Sequence, residues 1–133
     1  MAIDVQVCSF CAIGRGEAPA EIIYEDELTI TFAAAAPVTE GHTLLIPKAH
    51  TENLFDISSD LAAAMGLAVK AAVIVLSQRH RMTGINLLHA SGPDAQQSVF
   101  HFHYHLVPRR PRDGLDMWLR VGEVGNGGGV VAM

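Results

Sequence analysis

Val99-Phe100-His101-Phe102-His103-Tyr104-His105-Leu106-Val107, followed by Pro108, is the stretch whose pattern decides the architecture. Polar and apolar residues alternate along it. Extended backbone sends successive side chains to opposite faces, so His101, His103 and His105 share one face while Phe102, Tyr104 and Leu106 share the other. The pattern predicts a strand over 99–107, stopped by Pro108, with one face packed and the other free for chemistry. Neighbouring imidazoles on that face start about 7 Å apart, twice the strand rise, which lets two of them act on one phosphoryl group. A neutral imidazole is a competent nucleophile near pH 7, and an acceptor for the proton on its other nitrogen selects the attacking tautomer. Two other readings of the pattern stand beside this one: decoration of an exposed strand, and a metal site using all three rings. No carboxylate lies close on the same strand to complete or orient a metal set.

Upstream, residues 21–25 and 28–32 are β-like runs around the acidic turn Glu25-Asp26-Glu27, which predicts a hairpin. Thr43-Leu44-Leu45-Ile46 reads as a buried strand stopped by Pro47. Ser58 or Ser59 caps a helix in which Leu61, Met65, Val69, Val73 and Leu76 recur at helical spacing, with cations at Arg79, His80 and Arg81 and a stop at Gly84. A short strand over 85–89 and a Gly/Pro/Asp loop over 90–97 lead into the histidine strand. The sum is an α+β domain, an antiparallel sheet with one long helix across a face.

The 133 residues suit one core, and the Gly-rich segment from Gly125 reads as a mobile tail. Nine Lys plus Arg stand against fourteen Asp plus Glu, a net charge of −5 that argues against a nucleic-acid polymer as partner. A small phosphate ester remains compatible, because a few neutral donors replace a broad basic field. The apolar stretch 61–76 contains Lys70 and Gly66 and counts as too short for a membrane span, and no leader is visible, so the expected location is the cytoplasm. Cys8 and Cys11, separated by two residues, admit a redox pair, a metal half-site or two buried small side chains. His80 and His89 receive no catalytic role, and Phe10, Ile23 and Phe32 admit the wall of a base pocket but read first as core.

Residues 95–109 resemble the signature of the histidine triad family of nucleotide hydrolases and transferases, and Pro37-Val38-Thr39-Glu40-Gly41-His42-Thr43-Leu44-Leu45-Ile46-Pro47-Lys48-Ala49-His50 resembles its other signature segment. The resemblance implies a domain over 1–120 with about five strands, one long helix and a short N-terminal helix, followed by a tail over 121–133. It implies that His103 is the nucleophile that becomes phosphorylated, that His105 contacts the phosphate and the leaving group, and that His42 is a further active-site residue. Gln97 and Ser98 match polar loop positions that hold phosphoryl oxygens and leaving group. The implied chemistry is a double displacement on a purine nucleotide, with no metal required for the chemical step. Relatives also imply a structural zinc held by Cys8, Cys11, His50 and His101, and a homodimer built through the long helix, where Met65, Gly66 and Ala68 offer a small, adaptable surface and Trp118 reaches toward the partner.

Two positions depart from the family pattern: Ala34 stands where an acidic residue contacts ribose hydroxyls, and Ala90 where an Asn precedes the loop glycine. Neither alanine side chain forms hydrogen bonds, which leaves Ser91 or backbone groups to contact the sugar. The expected activity is hydrolysis of nucleoside 5′-phosphoramidates or related nucleotide conjugates. Dinucleoside polyphosphate hydrolysis and a zinc-stabilised nucleotide-binding module with little turnover are the alternatives.

Overall fold

The computed structural model describes residues 8–119. The expected tail over 121–133 lies outside the described residues. Helix α1 (Ser9–Gly14) is followed by strands β1 (Ile22–Glu25), β2 (Thr29–Ala33) and β3 (Thr43–Pro47), helix α2 (Ser59–Arg79), and strands β4 (Gly84–Leu88) and β5 (Tyr104–Arg109). The five strands form one sheet in the order β1-β2-β3-β5-β4, with every neighbouring pair antiparallel. The expected α+β class, with five strands, a long helix and a short N-terminal helix, is borne out.

Asp26 builds the first hairpin. Its carboxylate accepts from the backbone N–H of Leu28 (3.0 Å) and Thr29 (2.7 Å), from the Thr29 hydroxyl (2.9 Å) and from the Tyr24 hydroxyl (3.0 Å), closing the turn with one side chain. Burial pushes its pKa up, but those four donors together hold it below the ordinary carboxylate value. Ser58 caps α2, its hydroxyl accepting from the Leu61 N–H at 3.1 Å.

Helix α2 covers one face of the sheet through Met65, Ala68, Ala72 and Leu76, all buried. Met65 and Ala68 pack with Leu45 and Phe102, while Ala72 and Leu76 pack with Ile23 and Leu106. Burying a side chain the size of Met65 or Leu76 contributes about 1.5–3 kcal/mol, and the two alanines bring the helix close enough to do so. The predicted valines Val69 and Val73 flank this seam, only partly buried. On the other face α1 packs Phe10 and Cys11 against Ile30, Phe32 and Ile46. Ile23 and Phe32 therefore serve different faces of the sheet.

Four boundaries differ most from the sequence reading. Strand β5 begins at Tyr104, since the β3–β5 ladder ends at Leu45↔Tyr104 and the Phe102 N–H bonds to the Thr51 carbonyl at 2.7 Å. Continuing that register sets Phe102 opposite Pro47, which has no N–H to offer. Pro108 lies inside β5, beyond its last β3 partner at Leu106, where a missing donor is tolerated. Gly84 opens β4, and α2 ends at Arg79. Helix α2 has 21 residues and a mean hydropathy of 1.8 in its most apolar window, long and apolar enough by length and composition alone to cross a bilayer, a test that core helices also pass; here it packs on the sheet, as the sequence reading of a core helix expects.

The loop before β3 depends on Gly41, which has φ +90°, and an added Cβ would stand 3.0 Å from the His80 ring and 3.1 Å from Pro108. Gly41→Ala is expected to destabilise the fold by about 1–3 kcal/mol, read as a lower denaturant midpoint at unchanged slope.

Candidate active site

The imidazoles of 101, 103 and 105 lie on the α1 side of the sheet. The register fixes this: His105 pairs with Leu44, and Leu44 packs with the α1 cluster, while Phe102 and Leu106 pack under α2. His42, one residue ahead of β3, reaches the same face. Its Nε2 lies 3.0 Å from His105 Nδ1, and the His103 and His105 ring centroids are 5.2 Å apart.

Backbone groups decide the tautomer of each ring. His103 Nδ1 lies 2.8 Å from the His101 carbonyl, which only accepts, so Nδ1 carries the proton and Nε2 keeps its lone pair. The Val38 N–H donates to His42 Nδ1 at 3.1 Å, so the proton of neutral His42 sits on Nε2 and donates to His105 Nδ1. Neutral His105 then carries its proton on Nε2. Among the described residues neither His103 Nε2 nor His105 Nε2 has a protein partner, and neither is a buried orphan, so both open to the site. The site thus pairs one bare lone pair with one N–H donor.

Burial is the main cause that keeps these rings neutral. It holds His42 and His103 below the ordinary imidazole range and, aided by the nearby His103, His42 and His89, brings His105 down to about 4. The Phe10 ring packs edge-on to His103 at 5.4 Å and to Phe32 at 5.6 Å, forming an apolar wall beside the lone pair. Phe10 was read as core. Its place between the two cysteines was the available signal.

The polar loop residues are engaged within the protein. Gln97 is buried: its Oε1 accepts from the Gly92 N–H at 2.7 Å, and its Nε2 donates to the carbonyls of Glu52 (2.8 Å) and Val99 (3.0 Å). It shapes the loop with all side-chain polar atoms in use. Ser91 hydrogen-bonds His89 and the Leu54 N–H, and Ser98 is exposed. Gln96 takes φ 72°, a left-handed conformation held as the cap of the 3-10 turn Pro93–Ala95. Ala34 lines a cavity of about 310 Å³ with Pro37, His42 and Glu40, and Ala90 is half-buried in the loop after β4.

Behind the site, Cys8, Cys11, His50 and His101 converge, with their ligand atoms all within 4.8 Å of one another. Cys11 Sγ lies 3.2 Å from His50 Nδ1 and 3.4 Å from His101 Nδ1, and Cys8 Sγ lies 3.4 Å from His101 Nδ1. A tetrahedral zinc with Zn–S near 2.3 Å and Zn–N near 2.0 Å sets sulfur and nitrogen about 3.5 Å apart, so the donor set fits that ion. His101 Nε2–H donates to the Pro47 carbonyl at 2.8 Å, which turns the Nδ1 lone pair toward the sulfurs. Burial keeps His101 neutral, down to about 4, and pushes the Cys11 thiol up to about 11, with Cys8 adding to the rise. Two thiols buried this way are at home with a cation that stabilises their thiolates.

Fold and site define an α+β sheet protein in which the segment leading into the last strand, and the strand itself, carry alternating imidazoles into a neutral, backbone-ordered site. The HIT domain family model matches residues 15–112, and the chain belongs to that family. Protein hit of Bacillus subtilis is 40% identical over 102 residues, covering 77% of this chain and 70% of that protein. Adenylylsulfatase HINT3 of Arabidopsis thaliana is 36% identical over 108 residues, covering 81% of this chain and 55% of that protein. The crystal structure of a Zn-bound histidine triad family protein from Mycobacterium smegmatis superimposes with a TM-score of 0.75 at 41% identity, covering 86% of this chain and 83% of that one.

Zinc added to metal-stripped protein is expected to raise Tm by several degrees or more, and Cys11→Ser to remove most of that gain; calorimetry with metal analysis checks both.

Proposed function

We propose that this chain hydrolyses nucleotides joined through the 5′-phosphate to a leaving group, nucleoside 5′-phosphoramidates foremost, by way of a nucleotidyl group carried on His103. The observation that carries the reading is the pair of fixed tautomers, a bare Nε2 on His103 beside an Nε2–H on His105. In the first step His103 Nε2 forms a bond to phosphorus while the bond to the leaving group breaks. His105 donates a hydrogen bond on that side. Giving up its Nε2 proton would leave an imidazolate, because the His42 proton behind it rests on a ring held only by the Val38 N–H, so a departing amine takes its proton from water. In the second step water adds to phosphorus, the N–P bond breaks, and His103 returns to its Nδ1–H tautomer with the released proton passing to solvent. Neutral donors bear the phosphoryl charge, which suits an acidic chain. A relative named as an adenylylsulfatase supports an adenylyl-bearing substrate.

Cys8, Cys11, His50 and His101 would hold a zinc ion as a closed structural site. Four protein donors leave no position for substrate, and the ion would tie α1 to the chain leaving β3. A Zn-bound neighbour of the same fold supports this. A homodimer through α2 is supported by the outer face of that helix, where Leu67 is 76% and Ile74 49% exposed, and not by Met65 and Ala68, which the sheet buries.

His103→Ala is expected to lower turnover of adenosine 5′-phosphoramidate by at least about 10³-fold while nucleotide binding remains measurable. Intact-mass analysis of the wild type should show a nucleotidyl adduct that this variant lacks. The acid limb of the rate profile follows from protonation of the bare His103 Nε2 and of the facing His42–His105 pair, all three held below the ordinary imidazole range chiefly by burial, with His89 nearby. The neutral, tautomer-fixed rings are present above these values and are lost as pH falls through them. The rate plateau should therefore persist below pH 6.5, where an exposed imidazole is already half protonated.

A further inference from the structure

His89 follows the last residue of β4, and the reaction scheme above leaves it unused. Its Nδ1 lies 2.9 Å from the His103 carbonyl, which only accepts, so Nδ1 carries the proton. In the neutral ring Nε2 is then bare and accepts from the Ser91 hydroxyl, whose oxygen accepts in turn from the Leu54 N–H at 2.9 Å. The ring stacks on Phe102 with centroids 4.4 Å apart and planes at 29°, and meets Tyr104 edge-on at 5.4 Å. His89 therefore touches three successive residues, with His103 in the middle.

We propose that His89 is a positioning residue for His103, and that the Leu54–Ser91–His89 chain of hydrogen bonds holds the peptide from which the attacking ring is aimed. This rests on the reading of His103 as nucleophile. The β4–β5 ladder ends at Leu88↔His105, so His103 stands just outside regular pairing. The His89 side chain supplies its carbonyl with a donor where the strand stops. The ring of His103 is tied by Nδ1 to the carbonyl of His101, so a turn of the 103 peptide swings Nε2 away from the line of attack. Small misplacements of a reacting atom cost far more in rate than in binding.

Three variants test the assignment with adenosine 5′-phosphoramidate as probe. His89→Phe keeps the stacked ring and deletes both hydrogen bonds. His89→Gln offers an amide N–H and a carbonyl oxygen in their place. Ser91→Ala removes the hydroxyl alone. Expected for His89→Phe is a fall of about tenfold or more in kcat and in the rate of nucleotidyl-adduct formation, with KM within about twofold. His89→Gln should return both rates to within about threefold of wild type, and Ser91→Ala should fall between. Unchanged adduct formation in folded His89→Phe overturns the proposal. So does a loss that His89→Gln does not restore. Where His89→Phe does not fold, Ser91→Ala decides: a lowered adduct rate supports the assignment and a wild-type rate overturns it. His103→Ala in the same assay separates the two levels. Retained turnover there fails the nucleophile reading itself, whereas an inactive His103→Ala beside a wild-type His89→Phe fails only the positioning role.

Discussion

The 2.8 Å hydrogen bond from His103 Nδ1–H to the His101 carbonyl is the contact on which the candidate chemistry depends. A buried neutral imidazole has one lone pair to use, and this bond decides which nitrogen keeps it. The bond lies within a three-residue span, yet it is not a strand contact, because β5 starts only at Tyr104. It is held by what flanks it. Phe102 is fully buried under α2, its N–H is taken by Thr51, and His101 is turned toward the sulfurs by Pro47. Breaking such a buried bond costs about 1–3 kcal/mol, enough to change the preferred tautomer as well as the local fold.

The rest of the molecule presents that imidazole to one side. Helix α2 fills one face of the sheet with Met65, Ala68, Ala72 and Leu76, which forces the alternate residues of the last strand outward. Helix α1 then covers part of the exposed face, bringing Phe10 against His103 and the two cysteines against His50 and His101. Desolvation lowers His42, His103 and His105 alike, so the candidate site offers uncharged donors and acceptors.

Much of this was legible in the residues. Alternation located the two faces of the last strand, Ser58 marked the start of α2, and the acidic turn at 25–27 located the hairpin, each through a local rule that tertiary contacts did not overturn. The start of β5 was hidden, since it depends on Pro47 lying across the sheet some fifty residues earlier in the chain. Val69 and Val73 were read as core because helical spacing weighs hydrophobicity, whereas close approach to the sheet selects the smaller Ala68 and Ala72. His89 was passed over for lack of a pattern, and Gln97 reads as a free polar side chain until its three partners, among them the distant Glu52 carbonyl, are seen. Grouping of Cys8, Cys11, His50 and His101 came from resemblance alone, and the fold then brought the four together.

His101 belongs to two assemblies at once, offering its ring to the thiols and its carbonyl to His103. The torsion angles of a single residue thus serve the cysteine cluster and the reactive ring together. Energetic effects of changes on the two sides cannot be summed independently, and an agent that distorts the sulfur pair alters the aim of the neighbouring imidazole without touching that ring.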